Sequence, residues 1–179
     1  MDKEYQEFFH AIGIPMFQGY GLSEASPVIS TNSFKAYKFG TSGKVVPNLK
    51  VEIVDQQRKR LLPGETGEIV VSGNNIMHSY WRNPKATAET LEGKTLYTGD
   101  MGYIDKQNFL VVTGRYKSLL ISGDGEKYSP ETIEETIISN AKWISQIMLY
   151  NHQNPYTIAL IFPNLTKVKE AKKEKPSIS

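Results

Sequence analysis

A tyrosine between two glycines, with a carboxylate four residues on, stands in Gly19-Tyr20-Gly21-Leu22-Ser23-Glu24. Glycine beside an aromatic ring lets a ligand approach the backbone closely. The Glu24 carboxylate supplies the hard oxygen that divalent cations prefer, and such cations bring phosphate with them. A second short carboxylate follows in Tyr97-Thr98-Gly99-Asp100. A carboxylate accepts two hydrogen bonds at once, which suits a vicinal diol such as ribose. Arg115, 15 residues further on, offers the donors to complete such a clamp. Gly123 and Gly125, in Ser122-Gly123-Asp124-Gly125-Glu126-Lys127, permit positive backbone torsions and another close approach. Each motif also has a plainer use. The first serves equally as a strand-to-loop turn, the second as an aspartate capping its own backbone, and the third as a hairpin turn.

Strand ends and turns must carry these residues. Residues 3–11 read as a short amphipathic helix with Tyr5, Phe8 and Phe9 towards a core and Gly13 as its stop. Residues 15–19 read as a buried strand running into Tyr20. From about Gly43 the pattern alternates: residues 51–54, a Leu61-Leu62-Pro63-Gly64 turn and residues 67–73 predict antiparallel hairpins in a small barrel or sandwich. Asn83 and Pro84 open a helix, as cap and first helical residue, that ends near Gly93. A second hairpin joins residues 101–105 to 109–113. After Arg115 the order is strand, turn, helix, strand, strand, helix. Ser129 caps the first of those helices, whose buried side carries Ile133, Ile137 and Ile138. Residues 144–150 and 156–162 read as strands. A boundary at about Arg115–Tyr116 divides the chain into 1–114 and 115–179.

Composition excludes several classes. Hydrophobic residues make up 39% and charged residues 22%, so a packed core is expected. Lys+Arg 21 against Asp+Glu 19, a net +2, gives no case for nucleic acid. Cysteine is absent, which removes disulfides and thiolate chemistry and fits a reducing compartment. The acidic, aromatic start is no secretory signal, and no apolar run approaches the ~20 residues that span a bilayer. A soluble, cytoplasmic protein is the expectation. His10, His78 and His152 show no metal-ligand spacing. The lysines at 172, 173 and 175 read as a solvated helix end, with peripheral contact to an anionic membrane as the sharper alternative.

Taken together and in this order, the three motifs resemble the adenylate-forming enzymes: acyl-CoA synthetases, luciferases and peptide-synthetase adenylation domains. The match runs over roughly residues 15–140. It implies an α+β chain: the end of an α/β subdomain and a small antiparallel β-barrel over 1–114, then a hinge and a compact α+β C-terminal lobe over 115–179. It further implies that Tyr20 stacks on adenine beside Gly21, that Ser23 (most often threonine in the family) lies by the phosphates, and that Glu24 ligates Mg2+. Asp100 would hold the ribose hydroxyls of ATP, with Arg115 completing the clamp. Lys117 would be the hinge on which the lobe rotates between half-reactions. The turn bearing Gly123 and Gly125 would help form the tunnel for coenzyme A.

Lysine at the hinge and the Ile121-Ser122-Gly123-Asp124-Gly125-Glu126-Lys127 turn look more like fatty acyl-CoA synthetases, the long-chain group in particular, than like peptide-synthetase domains. The implied protein is an acid–thiol ligase acting on ATP, a fatty acid and coenzyme A in fatty acid metabolism. Two family features are not found. No Ser/Thr/Gly-rich phosphate loop precedes Tyr20, and no glycine-lysine motif follows Phe162. These 179 residues are therefore expected to be inactive alone. The alternative is a non-catalytic nucleotide-sensing or protein-interaction module that keeps the fold.

Overall fold

The computed structural model describes residues 3–123 and 127–174, and the chain divides into two compact units, Met1–Tyr116 and Lys117–Ser179. In the first unit α1 (Lys3–Ala11) forms where the sequence places it, but a different side packs. Tyr5 and Phe8 are exposed, Phe9 is half-buried, and Gln6 is the buried residue. The Gln6 amide donates to Gln18 Oε1, and the Gly40 N–H donates to Gln6 Oε1 at 2.9 Å. A buried amide needs partners, and those partners choose the helix face that turns inward.

The buried strand expected before Tyr20 is absent. Residues 14–18 have no regular structure, and β1 (Gly19–Gly21) covers only the motif itself. It pairs antiparallel with β2 (Val28–Thr31), which pairs with β3 (Lys44–Val45). Asn32, 3% exposed, fastens the irregular approach. Its amide donates to the Thr41 carbonyl at 2.8 Å and to the Gln18 carbonyl at 3.2 Å, and its Oδ1 accepts from the Lys38 N–H at 3.0 Å.

The alternating segments fold into β4 (Leu49–Val54), β5 (Gly67–Gly73), β6 (Leu91–Glu92), β7 (Thr95–Ile104) and β8 (Leu110–Arg115). Their order is β4-β5-β7-β6, with β8 also on β7. The α+β class stands, but the sheet is open where a small barrel was expected. The far edge of β7 is shared between β6 and β8, and neither pairs back to β4. The short α2 (Pro84–Thr90) is capped by Asn83, whose Oδ1 accepts from the Ala86 N–H at 3.1 Å. Ile29, Ile53, Ile69, Val71, Leu96 and Leu110 make one core under both sheets, each such side chain contributing about 1.5–3 kcal/mol by burial.

The tight turn joining β7 to β8 is organised by Asp105. Its Oδ1 accepts from the Gln107 and Phe109 N–H groups at 2.8 and 2.9 Å, and its Oδ2 accepts from Lys38 Nζ. Burial alone would raise this carboxyl, but the Lys38 ammonium and those N–H groups outweigh it and hold the group below the usual carboxylate range. A depressed carboxyl stabilises the fold above its unfolded pKa of ~3.9, and the contribution vanishes as pH falls through the lower folded value. Asp105→Asn should therefore lower the urea midpoint at neutral pH and flatten its decline below about pH 4, measured against the parent chain.

The second unit contains β9 (Leu120–Ser122), β10 (Lys127–Tyr128), α3 (Pro130–Asn140), β11 (Ile144–Tyr150), β12 (His152–Asn154), β13 (Ile158–Pro163) and α4 (Leu165–Glu174). β9 pairs antiparallel with β10 and parallel with β12, while β11 and β13 form a separate antiparallel pair with Ile147 opposite Ile161. The α3 expectations need correction. Ser129 does precede the helix, but its hydroxyl donates to Glu131 and caps no backbone group. Ile137 is half-buried, while Ile133 and Ile138 are 37% and 40% exposed, because a two-stranded ribbon covers only part of the helix. The side chains of Lys172 and Lys173, and Lys175 itself, lie outside the described residues, so the membrane-contact expectation has no structural description. No helix among the described residues is long and apolar enough to cross a membrane.

Candidate functional site

The structure brings Tyr20, Asp100 and Arg115 together. The cross-strand register of β7 and β8 sets Asp100 opposite Arg115, so the hairpin itself aligns a carboxylate with a guanidinium. Arg115 Nε lies 3.0 Å from Asp100 Oδ1, and the Arg115 side chain is 70% exposed. From the other side the Tyr20 hydroxyl donates to Asp100 Oδ2 at 2.6 Å. Asp100 is only 5% exposed. A buried carboxylate is costly without partners, and here each oxygen has one, with acceptor capacity left on both.

The backbone around Asp100 is held as firmly. Thr98 Oγ1 donates to the Ile69 carbonyl at 2.7 Å and accepts from the Asp100 N–H at 3.0 Å. The Gly99 N–H donates to Glu68 Oε1 at 3.0 Å. Gly99 has φ +71°, the left-handed region that glycine enters without strain, so this residue bends the strand at the carboxylate. Burial first, and the Asp100 carboxylate next, push the Tyr20 phenol well above its ordinary pKa. It stays protonated and remains a donor.

Gly21 has a use the sequence did not reveal. A Cβ there would lie 1.8 Å from the Pro27 carbonyl oxygen, where the β1–β2 register shifts between Tyr20 and Gly21. The approach that glycine allows at this position is to the chain's own backbone. Ser23 then opens a single 3₁₀ turn, Ser23–Ala25, closed by Ser26 in the left-handed region at φ 52°. Ser23 itself is exposed.

Glu24, in the middle of that turn, is half-buried, and its carboxylate meets a residue 56 positions away. The Tyr80 hydroxyl donates to Glu24 Oε1 at 2.7 Å. Burial first, and this carboxylate next, raise the Tyr80 phenol. No group of three or more His, Cys, Asp or Glu residues that would hold a metal exists among the described residues. Lys117 lies in the 3₁₀ turn Tyr116–Ser118 at the division between the units; its side chain is not described. Gly123 follows β9 in the second unit, where a Cβ would sit 3.3 Å from Pro155 Cα. Gly125 lies outside the described residues.

Comparison with known proteins bears on the same segments. The family model described as AMP-binding enzyme matches residues 1–81. A long-chain-fatty-acid–CoA ligase of Mycobacterium bovis is 33% identical over 154 residues, 86% of this chain and 24% of that protein. A 2-succinylbenzoate–CoA ligase of Geobacillus kaustophilus is 39% identical over 131 residues, 72% of this chain and 26% of that one. The o-succinylbenzoate CoA synthetase of Bacillus subtilis, solved with its acyl-adenylate intermediate, superposes with a TM-score of 0.80 at 27% identity, covering 97% of this chain and 37% of that one. The chain belongs to the adenylate-forming enzyme superfamily.

The chain spans about a quarter of the length of the curated relatives it matches. The same Bacillus subtilis enzyme solved with ATP and magnesium ion superposes with a TM-score of 0.79 at 28% identity, over 92% of this chain and 35% of that one. Sequence reasoning missed three residues that build this cluster: Tyr80 on Glu24, Thr98 under Asp100, and Asn32 behind the strand that carries Tyr20. Thr98 sits inside a motif already singled out and was within reach. Tyr80 and Asn32 act across long loops and leave no local pattern.

Proposed function

We propose that this chain supplies the nucleotide-holding part of an ATP- and magnesium-dependent acid–CoA ligase. Such an enzyme joins a carboxylic acid to the α-phosphate of ATP with loss of pyrophosphate, then transfers the acyl group to the thiol of coenzyme A with release of AMP. Fatty acids are the substrate class, in keeping with the Mycobacterium bovis relative. The observation that carries the reading is the buried Asp100 carboxylate held between Tyr20 and Arg115. Asp100 accepts the ribose hydroxyls on its remaining lone pairs, Arg115 adds donors from the open side, and the Tyr20 ring offers its face to adenine.

Ser23 lies towards the phosphates, with Gly21 fixing the turn that leads to it. Glu24 fits a hard cation. Its Oε1 is taken by Tyr80, and no group donates to its Oε2 among the described residues. Magnesium held there would neutralise phosphate charge, which is the chemistry it supplies when bound. Residues 1–114 are then the end of the large domain and residues 115–179 its mobile lobe, with Lys117 as hinge and the turn at Gly123 and Gly125 lining the approach of coenzyme A. The reaction is cytoplasmic on this reading.

The test is ATP–pyrophosphate exchange, run with these 179 residues and with the full reading frame that contains them, against fatty acids of graded length and 2-succinylbenzoate. Exchange by the full frame with long fatty acids, and none by the 179 residues alone, is the expected result. Exchange confined to 2-succinylbenzoate would overturn the substrate class, in line with the Geobacillus kaustophilus relative. Nucleotide binding without exchange for any acid would favour a sensing module.

A further inference from the structure

We infer that Tyr80 is a positioning residue that holds the Glu24 carboxylate in the orientation needed to receive a divalent cation. The inference rests on the reading that Glu24 is the cation-holding side chain. The backbone of Glu24 is already fixed. It lies in the 3₁₀ turn beside the fully buried Ala25, and its carbonyl accepts from the Met77 N–H at 2.8 Å. The side chain is not fixed by that turn. A glutamate has three rotatable bonds, and ordering them costs rotamer entropy.

One contact takes up that freedom. The Tyr80 hydroxyl donates to Oε1 at 2.7 Å, and among the described residues no other group donates to the carboxylate. Oε2 is left open to a cation. A phenol is well suited here because it fixes the carboxylate without cancelling its charge, where a lysine or arginine would compete with the metal. Partners of this kind orient a metal ligand without touching the metal.

Tyr80 is itself held from a separate element. Its N–H donates to Thr87 Oγ1 at 3.0 Å, and Thr87 Oγ1 donates in turn to the Asn83 carbonyl at 2.8 Å. Asn83 caps α2, so the first turn of that helix sets the position of the phenol. The segment between β5 and α2 docks on the 3₁₀ turn at a further point, where the Asn75 amide donates to the Ala25 carbonyl. The ring of Tyr80 borders an open depression of about 500 Å³ lined also by His78, Arg82 and Thr87. It is no core tyrosine with a hydroxyl satisfied by chance.

The experiment measures binding of Mn2+ in the presence of ATP, by enhancement of water proton relaxation, in the full chain and in Tyr80→Phe, Thr87→Val, Glu24→Gln and the Tyr80→Phe/Glu24→Gln double variant. Metal-free AMP binding is measured alongside as the control for a folded site. Tyr80→Phe should weaken Mn2+ binding by about 10-fold, the lower end for a partner of a metal ligand, with AMP affinity unchanged. Thr87→Val should fall in the same direction by less. The double variant should bind Mn2+ no worse than Glu24→Gln, because Tyr80 acts only through that carboxylate. Unchanged Mn2+ binding in Tyr80→Phe, or equal losses of Mn2+ and AMP binding, would overturn the inference and leave Tyr80 as a loop anchor. Unchanged Mn2+ binding in Glu24→Gln would instead overturn the cation role of Glu24 itself, and the inference with it.

Discussion

Asp100→Asn should weaken AMP binding by about 10- to 100-fold, the loss of one charge-assisted hydrogen bond worth about 1.5–3 kcal/mol. The asparagine keeps the size of the side chain and one acceptor oxygen, so the Tyr20 hydroxyl or Arg115 Nε retains a partner, but not both at full strength. The low exposure of Asp100, 5%, is why the charge matters: a carboxylate that water scarcely reaches is replaced by nothing when it is removed. A second comparison isolates the ribose. Against the parent chain, 2′,3′-dideoxy-AMP should bind more weakly than AMP, whereas Asp100→Asn should scarcely distinguish the two. A variant that still preferred AMP by the full margin would mean that Asp100 props Tyr20 and Arg115 and does not meet the diol. Calorimetric titration of both nucleotides into both proteins decides between these.

Apolar, β-branched composition and turn chemistry mark the strands most clearly where the two coincide. Residues 67–73 and 144–150 are short runs rich in apolar and β-branched residues, and both form strands over those spans, β5 and β11. The hairpin between Asp100 and Arg115 was legible for the same reason, since two strands joined by a tight turn must bring its flanks into register. What escaped was set by partners distant in the chain. The inward face of α1 depends on Gln18 and Gly40, which satisfy the Gln6 amide, so an apolar stripe of Tyr5, Phe8 and Phe9 pointed to the wrong side. Closure of the antiparallel strands into a barrel depends on edge pairing that no single strand encodes, and β6 is too short to provide it. The parallel pairing of β9 with β12 joins segments 31 residues apart, from Ile121 to His152, and carried no signal at all.

Gly21→Ala carries a large expected cost to the fold, about 3 kcal/mol or more, beyond the usual range for an added methyl in a packed site. The added Cβ would meet the Pro27 carbonyl oxygen at 1.8 Å and the Pro27 carbonyl carbon at 2.8 Å, and both are backbone atoms. A side chain could swing aside; a hairpin backbone cannot without breaking the register that pairs Gly21 with Val28 and Tyr20 with Ser30. Ser30 is fully buried and donates to the Ser42 carbonyl at 2.9 Å, so the displacement would reach the core that lies under β2. Gly19 is the control. A Cβ there stands 3.0 Å from the Ser30 carbonyl oxygen, a tight contact that a small shift relieves, and Gly19→Ala should cost clearly less. Urea denaturation of both variants gives the comparison. If Gly21→Ala kept the parent midpoint and lost only nucleotide affinity, the glycine would be there for the ligand, as its place beside Tyr20 first suggests. A collapse of stability in Gly21→Ala with Gly19→Ala nearly intact would instead locate its purpose in the β1–β2 hairpin, with the placement of the Tyr20 ring as the consequence.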